Sequence, residues 1–292
     1  MMPGSAVNRF SLTHTCVVPE DWAEDETRRA KSELIDTTVP NAARVADYLY
    51  GGQDNFEADR RAARTLAATA PVVAAIAPAL RAFQHRALRF LVAEAGIRQI
   101  LDIGTGLPLV GATHEVAQSI APESRIVYVD SDPMVLSHAR ALMTSAPGGA
   151  IGFVDADARD ANAILGGAEA TLDLSQPIAI LLLFTLAYIE DGAEAAAVVS
   201  SLAEAVPAGS YVAIYHVASD FDRALEEAGR QWNKLMPSQP ITLRSRPEVA
   251  ELVAGLDPVP PGLVPITEWR PAPDDPRSDQ VIPVHAVVAR KL

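Results

Sequence analysis

Only one cysteine, Cys16, stands among the 292 residues. That excludes an internal disulfide and a cluster of thiolate metal ligands. Basic side chains are outnumbered: 24 Lys and Arg face 37 Asp and Glu, giving a net charge of −13. Such a chain repels phosphate backbones and anionic lipid, which weighs against nucleic acid or a membrane as partner. Long hydrophobic runs are missing. The longest, Ile178 to Ala187, is too short for a bilayer and reads as a buried strand. No basic segment followed by an apolar one opens the chain, so no signal peptide is expected. His14, His85, His114, His138, His216 and His285 are scattered without paired ligand spacing, and no metal site is expected. There is no internal repeat and no low-complexity segment. A soluble, cytoplasmic protein is the expectation.

What is present is a hydrophobic content of 49%, compatible with a sizeable core. The length allows one large domain, or one domain with an appendage. Residues 1 to about 30 are polar, with Glu20, Asp21, Glu24, Asp25 and Glu26 clustered, and read as a loosely docked tail. Pro40 to Tyr50 reads as a helix with Pro40 in its first turn, ended by Gly51-Gly52. Asp54 and Glu57 have capping-box spacing for a second helix from Phe56. A third runs from Pro78 to Ala95 and ends at Gly96. The expected division is a tail and helical segment over 1–95 and an α/β domain over 96–292.

From there strands and helices alternate. Strands are expected at Ile100–Ile103, Arg125–Asp130, Ile151–Val154, Ile178–Phe184 and Tyr211–Val217. Helices are expected around His114–Ile120, Pro133–Leu142, Gly192–Val206, Phe221–Leu235 and Arg246–Ala254. Ser245 and Glu248 have capping-box spacing for the last. Leu263–Trp269 and Val281–Ala289 read as two closing strands. The alternation predicts a doubly wound α/β fold, Rossmann-like, with a mostly parallel seven-stranded sheet and an antiparallel C-terminal edge.

Chemistry concentrates at the strand ends. Ile100-Leu101-Asp102-Ile103-Gly104-Thr105-Gly106 ends an apolar run in an acid and a glycine turn; Val127-Tyr128-Val129-Asp130 ends the next run in another acid. Gly104 and Gly106 let the backbone pass close to a ligand. Asp130, with Ser131 beside it, can grip a ribose diol. Its other reading is a helix N-cap, a role Asp132 before Pro133 fills better. Asp102 can face an ammonium or sulfonium, or cap a turn. Asp157 is favoured over Asp155 to accept an adenine amino group, with the backbone N–H at Ala158 meeting a ring nitrogen. A dinucleotide fingerprint needs a third glycine where Leu109 stands. The pattern therefore points to S-adenosylmethionine rather than to a nicotinamide cofactor.

The sequence also resembles an actinobacterial S-adenosylmethionine-dependent methyltransferase family long catalogued as a domain of unknown function. The matching text is Pro40-Asn41-Ala42-Ala43-Arg44-Val45-Ala46-Asp47-Tyr48-Leu49-Tyr50-Gly51-Gly52, then Asp54-Asn55-Phe56 and Asp59-Arg60. LDIGTGLP from Leu101, THEVAQ from Thr113, VYVDSDP from Val127, DADARD from Asp155 and RSRPEV from Arg244 complete it. The resemblance runs from about residue 37 to the end and implies a class I methyltransferase fold. It also implies that Tyr48, Gly51, Gly52 and Asn55 belong to a lid over the cofactor; the alternative is a helix pair packed on the sheet edge. Family members tend to carry Leu-His-aromatic after the fourth strand, where this chain reads Leu186-Ala187-Tyr188.

The expected reaction is methyl transfer to a small-molecule acceptor, leaving S-adenosylhomocysteine. His216 and Tyr188 are the candidate catalytic bases, with His114 a third. Tyr215, Trp232 and Trp269 can line an acceptor pocket or pack in the core. Two alternatives stand: a regulator or partner subunit that binds S-adenosylmethionine without transferase activity, and an NAD-dependent oxidoreductase.

Overall fold

The structure is a computed structural model that describes residues 35–273, 275 and 281–292. The expected polar tail, with Cys16 and His14, lies outside the described residues. Residues 36–292 form one compact unit.

Three helices come first. α1 (Ala42–Leu49) is capped by Asn41, whose side chain accepts the Ala43 and Arg44 N–H groups at 2.9 and 3.2 Å. Pro40 thus precedes the cap instead of sitting in the first turn. α2 (Glu57–Thr69) is closed by Asp59, which accepts the Phe56 N–H at 2.8 Å; the Asp54–Glu57 box does not form. α3 (Val73–Arg89) begins before Pro78 and runs into a π-helical turn at Phe90–Glu94. Pro78 is the sixth residue of α3, past the first turn, so the helix forgoes the bond from that position to the Ala74 carbonyl.

The strands are β1 (Gln99–Ile103), β2 (Arg125–Asp130), β3 (Ala150–Asp155), β4 (Ala179–Leu183), β5 (Tyr211–Val217), β6 (Asp257–Pro258), β7 (Val264–Pro265) and β8 (Val284–Arg290). Between them lie α4 (Thr113–Ile120), α5 (Pro133–Leu142), α6 (Ala161–Ala168), α7 (Gly192–Glu204), α8 (Arg223–Leu235) and α9 (Arg246–Leu252). β1 to β5 are parallel in the order β3-β2-β1-β4-β5, and β8 runs antiparallel against β5. The outer edge of β8 is shared by β6 and β7, so the sheet has eight strands, one more than expected. Leu263–Trp269 is not one strand: two residues pair with β8, and the chain then turns into a short 3₁₀ helix at Ile266–Glu268.

α6 was not apparent in the sequence, because Gly166-Gly167 lowers helix propensity. Its packing explains the second glycine: a Cβ on Gly167 would meet Val154 at 2.8 Å. The capping of α9 by Ser245 and Glu248 is as expected, with Glu248 accepting the Ser245 N–H at 2.7 Å. Both sheet faces are buried. Ile100, Leu181 and Ala213 face one cluster with α1–α4 and α8; Leu101, Ile180 and Val212 face another with α6, α7 and α9. Burial on both faces is why these strands read as continuous apolar runs. No single helix among the described residues is long and apolar enough to cross a membrane.

Candidate active site

A cavity of about 1040 Å³ opens where β1, β2 and β4 end. Ligands of open α/β sheets bind outside the carboxyl ends of the strands. Asp102, in β1, is buried, and its Oδ2 accepts the Thr113 hydroxyl at 2.5 Å. Burial raises its pKa to about 6, against the pull of the Thr113 hydrogen bond. Gly104 has φ +75°, and a Cβ there would sit 2.3 Å from the Thr185 Oγ1. Thr185 is in turn fixed, its hydroxyl donating to the Ile103 carbonyl at 2.5 Å.

Asp130 ends β2 and is drawn into the same turn. Its Oδ2 accepts the Gly106 N–H at 3.0 Å and its Oδ1 the Asp132 N–H at 2.9 Å. Each oxygen keeps a free lone pair. Burial pushes its pKa up. Asp132, not Asp130, caps α5, accepting the Met134 N–H at 2.9 Å. Ser131, Asp157 and Ala158 also line the cavity, and Asp155 does not. Asp157 is exposed and pairs with Arg159 at 3.2 Å.

The structure corrects the expected lid contacts. Tyr48, Gly51, Gly52 and Asn55 are not on the cavity wall; Ala42, Ala46, Leu49 and Tyr50 are. Asn55 donates to the Asp47 Oδ2 at 2.7 Å and to the Gly52 carbonyl at 3.0 Å. A Cβ on Gly52 would collide with the Asp47 carboxylate. These residues lock the α1–α2 turn. A buried Arg44–Asp59 pair at 2.9 Å reinforces the same corner. Asn41 then ties α1 to the site, its Nδ2 donating to the Asp132 Oδ2 at 3.0 Å.

His216 is a second correction. Its side chain is fully buried in β5 and does not reach the cavity. Nδ1–H donates to the Val217 carbonyl at 2.9 Å, and Nε2 accepts from Arg244 at 2.8 Å. Burial lowers its pKa to about 4. With both nitrogens used and no path to a ligand, it is not a base for the acceptor. His114 is likewise engaged: the Tyr128 hydroxyl accepts its backbone N–H at 2.8 Å and meets its Nδ1 at 2.7 Å.

Tyr188 does line the cavity, but burial and the nearby Asp130 charge hold its hydroxyl well above the usual phenol range. It is protonated at neutral pH, a donor rather than a base. Tyr215 and Trp232 are cavity residues. Trp269 is a core residue, its ring 5.4 Å from that of Phe83. Tyr50, Thr113 and Phe184 went unnoticed in the sequence. Position offered a signal for two of them, since Tyr50 directly precedes Gly51-Gly52 and Phe184 ends the fourth apolar run. Among the described residues no three His, Cys, Asp or Glu gather closely enough to hold a metal ion.

A parallel sheet in this order, with an antiparallel edge and with acids and glycine turns at adjoining strand ends, defines a class I methyltransferase fold. The sequence profile of the S-adenosyl methyltransferase family matches residues 28–292, and the chain belongs to that family. A crystal structure of a DUF574 family protein from Streptomyces avermitilis is similar, with 36% identity and a TM-score of 0.85 over 89% of this chain and 100% of that one. So is that of a candidate methyltransferase from Thermobifida fusca, with 37% identity and a TM-score of 0.79 over 88% and 96% of the two chains. No curated protein matches.

The protein is therefore an S-adenosylmethionine-dependent methyltransferase. The residues suit that cofactor. Two carboxylates, buried Asp102 and half-buried Asp130, offer acceptors to cationic and hydroxyl groups, and the turn through Gly104 brings backbone close without a side chain in the way. The family match speaks against the nicotinamide reading.

Proposed function

We propose that the chain methylates a small molecule bound against the apolar residues of the cavity, with the cofactor at the acids and glycines. The carrying observation is that one cavity is lined by both kinds of residue. Asp102, Gly104, Gly106, Asp130 and Asp157 share it with Leu49, Tyr50, Phe184, Tyr188, Leu225 and Trp232. Its volume, about 1040 Å³, is at the top of the ~300–1,000 Å³ range of ligand pockets, and suits two adjacent ligands. Walls from α1, α3 and α8 suit a small acceptor better than a polymer, and the net charge of −13 disfavours nucleic acid.

In this reading Asp130 accepts the ribose hydroxyls, with Ser131 beside it. Asp157 and Ala158 meet the adenine, and Asp102 faces the cationic part. Leu49 and Tyr50 of α1 supply the cover. Bound S-adenosylmethionine supplies an electrophilic methyl group on a sulfonium. That methyl group would pass to a lone pair of the acceptor, the carbon–sulfur pair returning to sulfur. Any proton the acceptor loses passes to water. Holding the partners in line carries much of the catalysis, and Tyr188 orients the acceptor as a hydrogen-bond donor.

Calorimetric titration with S-adenosylmethionine, S-adenosylhomocysteine and NADH tests the cofactor end. Micromolar binding of the first two and none of NADH is expected. Incubation with methyl-labelled S-adenosylmethionine and an extract of small metabolites then tests the acceptor. Label in a small organic product supports the proposal, and label only in macromolecules overturns it.

A further inference from the structure

Aromatic residues make up only 5% of the chain, as 7 Phe, 6 Tyr and 3 Trp, and their distribution is uneven. Tyr50, Tyr128, Phe184, Tyr188, Tyr215 and Trp232 all line the cavity. Three of them form one wall of it. The Phe184 ring is 5.6 Å from Tyr188 and 6.4 Å from Trp232, at interplanar angles of 64° and 48°. None of these three rings is stacked flat on another.

Two details show that this wall is held in place. Phe184 has φ 73°, a left-handed conformation that a residue with a bulky side chain adopts only under constraint. The constraint comes from behind. The Phe184 N–H reaches the Tyr215 carbonyl at 3.4 Å, and Arg244 donates to the Leu186 and Ile189 carbonyls at 2.8 and 2.6 Å. Trp232, for its part, has its polar atom occupied: the indole N–H donates to the Gln239 carbonyl at 2.9 Å. Its rings are left for apolar contact. The Tyr188 hydroxyl, in contrast, has no hydrogen-bond partner among the described residues, and burial keeps it protonated.

Resting on the methyl-transfer reading, we propose that the acceptor carries a planar aromatic ring, packed against Phe184, Tyr188 and Trp232, with a polar substituent at the Tyr188 hydroxyl. Aromatic pairs in tilted or edge-to-face geometry gain more than the area they bury, which a saturated ring of equal size does not. A wall of rings fixed by backbone strain and by a spent indole N–H discriminates by that difference. The Tyr188 hydroxyl, the one hydroxyl among these three side chains, then sets which edge of the ligand points toward the cofactor.

The test uses the whole protein loaded with S-adenosylhomocysteine, titrated with 2-naphthol and with decahydro-2-naphthol, which share a hydroxyl and a two-ring outline. A preference for 2-naphthol of tenfold or more is expected. Trp232→Leu and Phe184→Leu should each remove most of that preference while leaving S-adenosylhomocysteine binding intact, which also shows that the variants fold. Equal binding of the two probes, or binding of neither to the loaded protein, overturns the proposal. Failure of S-adenosylhomocysteine itself to bind overturns the methyl-transfer reading and this inference with it.

Discussion

Arg244 donates its Nη1 to the Nε2 of His216 at 2.8 Å, in a place where neither side chain meets water. The same guanidinium grips the Leu186 and Ile189 carbonyls on either side of Tyr188. His216 accepts this bond only while neutral. Its pKa is lowered from 6.5 to about 4 by burial first, with the Arg244 charge adding to it.

A stability effect follows, with a definite sign. Above about 6.5 neither folded nor unfolded His216 is protonated, and its contribution is full. As pH falls from there toward 4, the unfolded chain takes up the proton first, and stability is lost. The loss reaches about 2–3 kcal/mol. Asp102 shifts the opposite way, so the measurement is a difference: urea unfolding of wild type and of His216→Asn at pH 7.5 and 4.5. The variant should start less stable and lose less on acidification. Parallel losses in both proteins would refute the assignment.

Asp130 holds the turn through Gly106 and Asp132 and still has acceptor capacity toward the cavity. Asp130→Ala should weaken S-adenosylmethionine binding tenfold or more, ~1.4 kcal/mol. Calorimetry decides it, with circular dichroism to show that the variant is folded. An unchanged affinity in a folded variant would remove the ribose role.

Asp102 has its pKa raised to about 6 by burial. Its ionised form is the one that attracts a cationic ligand. Affinity for S-adenosylmethionine should therefore hold above pH 7 and fall as pH drops through 6. Asp102→Asn should bind more weakly at pH 7.5 and show little of that dependence. The check is a binding curve at each half pH unit; identical profiles for both proteins would rule the role out.

Gly104 and Gly106 both have positive φ, +75° and +66°, yet their surroundings differ. A Cβ at position 104 would meet Thr185, while nothing lies within 4 Å of one at 106. Gly106→Ala should cost about 1–2 kcal/mol from backbone conformation alone. Gly104→Ala should cost more, because Thr185 must also move. Denaturant midpoints of the two variants test the ordering, and the reverse order would contradict it.

Much of the site could be read from local sequence. Strand ends are local: an apolar run, an acid and a glycine turn fall at consecutive positions, so Asp102, Gly104, Gly106 and Asp130 were recognisable before any contact was known. The Asp132 cap and the Ser245–Glu248 box are equally local. The N-terminal block misled for a related reason. Gly51, Gly52 and Asn55 stand out in the sequence because their turn tolerates few alternatives: Gly51 has φ +81°, and Gly52 and Asn55 close on the Asp47 carboxylate.

The sequence by itself determined the alternation of strands and helices, the cofactor class and the acids at the strand ends, because hydrophobic periodicity and turn chemistry act within a few residues. Only the tertiary structure decided that His216 faces Arg244 instead of an acceptor. Only it decided that Trp269 packs in the core while Trp232 reaches the cavity, and that Phe184, Tyr188 and Trp232 form one wall. Those relations join β4, β5, α8 and the segment before α9, far apart in the chain. Which side of a strand or helix meets a cavity is settled by what packs against its other side.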